Sequence, residues 1–224
     1  MSQFIHGILT LTACYLMGSL LFALIISESA YGVDIRKFGS GNCGFTNMKR
    51  TLGWKPALVV LFLDAAKGAL AVWVSRRVFT NQNYGQWHDM LVVLGAILAI
   101  VGHNWSVFCG FAGGKGVATS LGVLIALHPQ SALLAVLVGF PMLVYPGYMS
   151  LASVAGTASV PIWLWHFKQP APYQAFGLLA LAFVLIRHRA NLTRLYNGTE
   201  PKFSFSGATE PMPRPQPASP VTPD

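Results

Sequence analysis

Charge is scarce in this sequence. Asp, Glu, Lys and Arg make up 10% of the 224 residues, against about 25% in an ordinary soluble domain, and 54% are hydrophobic. Among the charged residues the acidic ones are the fewer, seven against 15 Lys and Arg. Cysteine is sparser still, with Cys14, Cys43 and Cys109 only. No CxxC pair or His/Cys cluster at metal spacing occurs, so no structural zinc site is expected. Three free thiols are expected, lying in a membrane span or on the cytoplasmic side, where disulfides are rare.

What fills the space is apolar sequence. From Phe4 to Ile26 there is no Asp, Glu, Lys or Arg, and about 20 apolar residues cross a bilayer. The absence of Lys or Arg before Gly7 argues against a cleaved leader and for a retained first helix. Further spans are expected at Pro56–Val74, Met90–Val107, Val117–Leu127, Gln130–Tyr145, Leu151–Trp165 and Tyr173–Ile186. The fold class is therefore an all-α polytopic membrane protein of about seven helices, one or more short or broken. Five or six spans are also compatible, because Val117–Leu127 is too short to cross alone and Pro129 separates it from the next apolar stretch.

Basic residues orient the chain. With the N-terminus outside (periplasmic) and seven spans, the inside receives Arg36, Lys37, Lys49, Arg50, Lys55, Lys115, Arg187, Arg189, Arg194, Lys202 and Arg214. The outside receives only Arg76, Arg77 and Lys168, as the positive-inside rule requires. Half of the 14 prolines lie from Pro201 onward. Residues 1–203 therefore read as one transmembrane domain and 204–224 as a Pro-rich, disordered cytoplasmic tail.

Three polar blocks interrupt the apolar pattern, all on the cytoplasmic face. The first, Gly39 to Arg50, combines Gly39, Gly41 and Gly44 with Ser40, Asn42, Thr46, Asn47 and Arg50. Glycines can turn successive N–H groups toward an anion, and a guanidinium suits a phosphate. A solvated interhelical turn is the alternative. The second block, Gly113-Gly114-Lys115-Gly116, enters an apolar helix whose N-terminus suits a phosphate, with His103 upstream. It is not a nucleotide P-loop, since Cys109 and Gly116 stand where that motif needs Gly and Ser or Thr. His103 is a candidate by its place inside a span, though a lone interior histidine is more often structural. Asp64 and Lys67, three residues apart, read as a mutually neutralising structural pair. In the third block His188 and Asn191 share a helix face that Arg194 continues, although a basic juxtamembrane segment is often a lipid anchor.

In their joint order, the blocks resemble the bacterial integral-membrane acyl-phosphate:glycerol-3-phosphate acyltransferases. The resemblance rests on Gly39-Ser40-Gly41-Asn42 with Thr46-Asn47 and Arg50, Gly102-His103 with Gly113 to Thr119, and His188, Asn191, Arg194-Leu195 and Glu200. Asp64 to Gly68 and Tyr148 to Leu151 also match. It implies acyl transfer from acyl phosphate to the 1-hydroxyl of sn-glycerol 3-phosphate at the bacterial inner membrane, without cofactor, metal or nucleic acid. It also implies that the His and Asp box of other glycerolipid acyltransferases is lacking, and no histidine here has Asp five positions on. Phe45, Ser106 and Ala112 depart from the family pattern. On this reading Ser40, His103 and Ser150 are the catalytic candidates. Gly39, Gly41, Asn42, Thr46, Asn47, Arg50, Gly113, Gly114, Lys115, Gly116, His188 and Asn191 bind substrate. A membrane transporter of organic phosphate anions is the competing reading, and oligomeric state is left open.

Overall fold

The computed structural model describes residues 2–206, and the described chain is helical without a strand. Helix α1 (Ser2–Ser19) and α2 (Phe22–Tyr31) are followed by a short α3 (Phe45–Leu52) and the long α4 (Trp54–Val78). One-turn α5 (Asn81–Tyr84) leads to α6 (His88–Asn104), then α7 (Val117–Leu127), α8 (Pro129–Val144), α9 (Met149–His166) and α10 (Ala171–Tyr196).

The first expected span is corrected by the structure: it breaks at Leu20 and Leu21, and the halves are bent by 47°. By length and apolarity, Trp54–Val78, Asn81–Asn104 and Ala171–Tyr196 qualify as single membrane-crossing helices, and the bent pair, counted as one span, makes a fourth. The regular seven-span reading thus resolves into helices of unequal length. Val117–Leu127 is a separate short helix, as its 11 residues imply. Pro129 begins α8 where its missing N–H costs nothing. The first block is not merely a turn, because its second half forms α3. The tail expected at 204–224 lies outside the described residues from 207 onward, while 204–206 are held against α3 and α4.

Glycine sets how closely the helices approach. A Cβ on Gly18 would overlap the Ala99 backbone of α6, and one on Gly122 would overlap the Ala65 carbonyl of α4. Gly139 and Gly156 meet across α8 and α9 in the same way. Small residues at such crossings let membrane helices gain dispersion contact that lipid cannot supply. Leu58, Phe62, Leu133, Phe140, Ile162 and Leu178 face outward, forming an apolar exterior suited to hydrocarbon. The three cysteines are free.

Candidate active site

One cavity collects the three polar blocks. Its wall takes Ser40, Asn42, Thr46, Asn47 and Arg50 from the first block, His103, Lys115 and Gly116 from the second, and His188 and Asn191 from α10. Ser150 enters from the first turn of α9. The first turns of α3, α7 and α9 thus converge, through Phe45 and Thr46, Val117 and Ala118, and Met149 and Ser150. Helix N-termini carry unpaired N–H groups and partial positive charge, so three of them form an anion-attracting wall.

Not every candidate points inward as expected. Gly39, Gly41, Gly113 and Gly114 are not among the lining residues. The free-amide nest expected of the first block is largely spent: Gly41 N–H donates to the Phe38 carbonyl, Gly44 N–H to the Asn42 carbonyl, and Ser40 N–H to Asn47 Oδ1. Asn47 is a buried clip, because its Nδ2 donates to the Ile35 and Phe38 carbonyls. Gly39 and Gly41 have φ of +55° and +68°, so their glycine identity shapes the turn that presents Ser40. In the second block Gly114 N–H donates to His103 O, and the Gly113 and Gly114 carbonyls accept from Arg187 at 2.8 and 2.9 Å. Arg187, which opens the third block without being one of its candidate ligands, holds the loop that carries Lys115.

Lys115 begins a polar chain. Its Nζ donates to Asn191 Oδ1 at 2.5 Å, Asn191 Nδ2 donates to Glu200 Oε1 at 2.7 Å, and Arg194 Nε donates to Glu200 Oε2 at 2.8 Å. Glu200 reaches back because the chain reverses after α10 at Gly198, with φ +68°, and the Thr199 and Glu200 N–H groups return to Arg194 O. Arg194 and Glu200 are legible in sequence as motif residues but not as cavity wall. Burial lowers Lys115 to about 8, with the Arg194, Arg187 and Arg50 charges adding to the effect and Glu200 opposing it. Burial raises the Glu200 carboxyl, but the bonds from Asn191 and Arg194 outweigh that and hold it below its ordinary value. The Ser150 hydroxyl is buried without a well-formed hydrogen bond, yet it lies near enough to Glu200 to help hold that carboxyl ionised. Burial, with Cys109 adjacent, pushes the Cys43 thiol up to about 12, which makes it no nucleophile.

The two histidines have opposite roles. Asp64 and Lys67 pair at 2.8 Å as expected, but they are not independent of the site: Lys67 Nζ also donates to His103 Nδ1 at 2.9 Å and to Leu20 O at the α1/α2 break at 2.6 Å. An ammonium has three N–H groups and no lone pair, so Nδ1 of His103 accepts and the ring proton sits on Nε2. In that tautomer His103 is a donor rather than a base. His188 Nδ1 lies 2.9 Å from Val184 O, which fixes its proton on Nδ1 and leaves Nε2 as an acceptor.

A second hollow adjoins the first. It holds about 200 Å³ between α7, α8, α9 and α10, with Leu124, Val136, Phe140, Val160 and Phe176 in its wall. Val117, Leu121, Met149 and Ser153 line both hollows. A charged end and an apolar slot therefore meet, which fits an amphiphile with an anionic head.

The family profile described as "Glycerol-3-phosphate acyltransferase" matches residues 8–198. The chain belongs to that family. Among its curated relatives, glycerol-3-phosphate acyltransferase 2 of Moorella thermoacetica is 43% identical over 195 residues, covering 87% of this chain and 96% of that protein. The glycerol-3-phosphate acyltransferase of Gloeobacter violaceus is 41% identical over 197 residues, covering 88% and 94%. The crystal structure of PlsY (YgiH), an integral membrane glycerol 3-phosphate acyltransferase, in its glycerol 3-phosphate form superposes with TM-score 0.80 at 34% identity, covering 88% of this chain and 96% of that one. The all-helical integral-membrane fold is thus that of a glycerol-3-phosphate acyltransferase.

Proposed function

We propose that this acyltransferase moves a fatty acyl group from acyl phosphate to the 1-hydroxyl of sn-glycerol 3-phosphate, giving lysophosphatidic acid and inorganic phosphate for phospholipid synthesis. One observation carries the reading: a cavity with Arg50, Lys115, Arg194 and three helix N-termini continues into an apolar slot. Both substrates bring a phosphate and the donor brings a long chain. The named relatives, and a PlsY structure described as its lysophosphatidic acid form at 34% identity, support the acylation of glycerol 3-phosphate.

Acyl phosphate is already activated, so positioning and charge stabilisation carry most of the work. Ser40 and Ser150 hold the donor head, and the first-turn amides of α7 and α9 face charge that develops on the carbonyl oxygen. Arg50, Lys115, His188 and Asn191 clamp glycerol 3-phosphate, with Lys115 aligned by Asn191. The acceptor hydroxyl gives its proton to the departing phosphate. The donor-only tautomer of His103 supports this substrate assistance, whereas His188 Nε2 is free to accept a hydrogen bond from the acceptor. The acyl chain lies in the slot between α7 and α10. The basic-residue bias supports seven crossings with the N-terminus outside, the C-terminus inside and the site on the cytoplasmic face of the inner membrane.

The test is reconstitution of the purified protein with palmitoyl phosphate and labelled glycerol 3-phosphate. Labelled lysophosphatidate supports the enzyme, and uptake into vesicles without product sinks it in favour of a transporter. Arg50→Ala should raise the KM for glycerol 3-phosphate; an unchanged KM removes Arg50 from the clamp.

A further inference from the structure

Beyond Gly198 the chain leaves the stretch matched by the family profile, yet residues 201–206 are tied down on both sides of the cavity. Phe203 N–H donates to Gly147 O, in the loop between α8 and α9, at 2.7 Å. On the other side Lys49 Nζ donates to Ser204 O, and Trp54 Nε1 donates to Phe205 O at 3.2 Å. The Phe203 ring stacks on Phe45 at 6.3 Å and 22°, and meets Trp54 edge-on at 5.9 Å. Lys49 Nζ lies 5.2 Å from the Phe203 ring and 5.4 Å from Trp54. Lys49 is 2% exposed, and among the described residues no carboxylate pairs with it. Its ammonium is held by a carbonyl and two aromatic faces, so the strap completes its surroundings.

The strap also belongs to the cavity. Pro201, Phe203 and Phe45 stand in its wall with Ser40 and Arg50. Its root is Glu200, which is bonded to Asn191 and Arg194, so the position of the strap is coupled to Lys115 through Asn191.

We infer that residues 201–206 form an aromatic roof that excludes water from the transfer step, with Phe203 selecting glycerol 3-phosphate over water as the acyl acceptor. This rests on the proposed acyl-phosphate reaction. Water is the competing acceptor for any activated acyl group: its oxygen bonds to the carbonyl carbon, the bond from that carbon to the bridging oxygen breaks, and phosphate leaves with the electron pair. The proton of the water ends on the phosphate, and the acyl group is lost as free fatty acid. Nothing in that step needs a side chain beyond those that already hold the donor. Beyond the clamp that positions the acceptor, selectivity therefore requires keeping water out, and a roof over the acceptor does this. Phe45 thereby gains a role as the face on which Phe203 rests.

Full-length protein, Phe203→Ala, Phe203→Tyr and Phe45→Ala are compared with labelled palmitoyl phosphate at several glycerol 3-phosphate concentrations, after subtraction of enzyme-free hydrolysis. Phe203→Ala should raise the ratio of fatty acid to lysophosphatidate by about five-fold or more and raise the KM for glycerol 3-phosphate. Phe203→Tyr should restore both, and Phe45→Ala should move both in the same direction by less. An unchanged ratio in Phe203→Ala overturns the roof, as does a fall in kcat alone. If the unsubstituted protein makes no lysophosphatidate, it is the acyl-phosphate reading that fails, and the roof falls with it.

Discussion

Lys115 offers a direct test of how the cavity binds phosphate. Its ammonium is lowered to about 8 by burial, with the Arg194, Arg187 and Arg50 charges acting in the same direction and Glu200 against it. The sign is set by the charged form: a phosphate dianion is held by the protonated amine, which is present below about 8 and lost above it. In the substrate-free protein about nine-tenths of Lys115 is charged near pH 7 and about one-tenth near pH 9. The apparent KM for glycerol 3-phosphate should therefore rise about ten-fold over that interval. Bound phosphate keeps the amine protonated, so kcat at saturating acceptor should change much less. The assay is lysophosphatidate formation at saturating palmitoyl phosphate across that range, run in parallel on Lys115→Arg. A guanidinium stays charged throughout, so that variant binds less well in absolute terms but loses the alkaline limb. A flat KM in the unsubstituted protein, or the same limb in Lys115→Arg, refutes the assignment of the limb to Lys115.

Hydrogen bonding and packing set the outcome of four further substitutions. Glu200→Gln removes the charged bond to Arg194 and loosens Asn191; Arg194 is part-exposed, so the low end of a charge-assisted bond, about 1.5 kcal/mol, applies and kcat/KM for glycerol 3-phosphate should fall about ten-fold; a steady-state comparison checks it. Lys67→Met strands the buried Asp64 carboxylate and should cost about 3–5 kcal/mol, read as a lower melting temperature in detergent, with part recovered in Asp64→Asn/Lys67→Met. Gly122→Ala pushes a methyl into the Ala65 carbonyl and should cost about 1–3 kcal/mol. Gly7→Ala should leave melting unchanged, because its added Cβ meets Phe79 and Tyr84 at ordinary contact distances of 3.6 and 3.7 Å.

The sequence is most informative where one local rule acts. Apolar runs locate α4, α6 and α10, because hydrocarbon demands continuous apolar length. Pro129 marks the start of α8, and the spacing of His188 and Asn191 places both on one wall. The break at Leu20 and Leu21 follows Gly18-Ser19, a pair that can kink a helix, but the unbroken apolar run around it reads as one span; the freed Leu20 carbonyl is satisfied by Lys67, 47 residues away. Asn47 reads as a ligand donor because an amide near glycines serves equally well as a clip. Arg187 reads as surface charge because its partners are carbonyls in a distant loop.

Sequence by itself determined that the chain lives in a membrane, which segments are apolar, and which residue types suit phosphate, since composition and spacing set solvation and helix periodicity. Tertiary structure alone decided which of those residues share a cavity, which N–H groups are already spent, and which nitrogen of His103 and of His188 carries the proton. Those outcomes depend on hydrogen bonds between distant segments, and each bond exists only after helix packing has fixed both partners. Phe45 shows the division: in sequence it is an anomaly beside a phosphate turn, and in the folded chain it is the ring on which Phe203 stacks in the cavity wall.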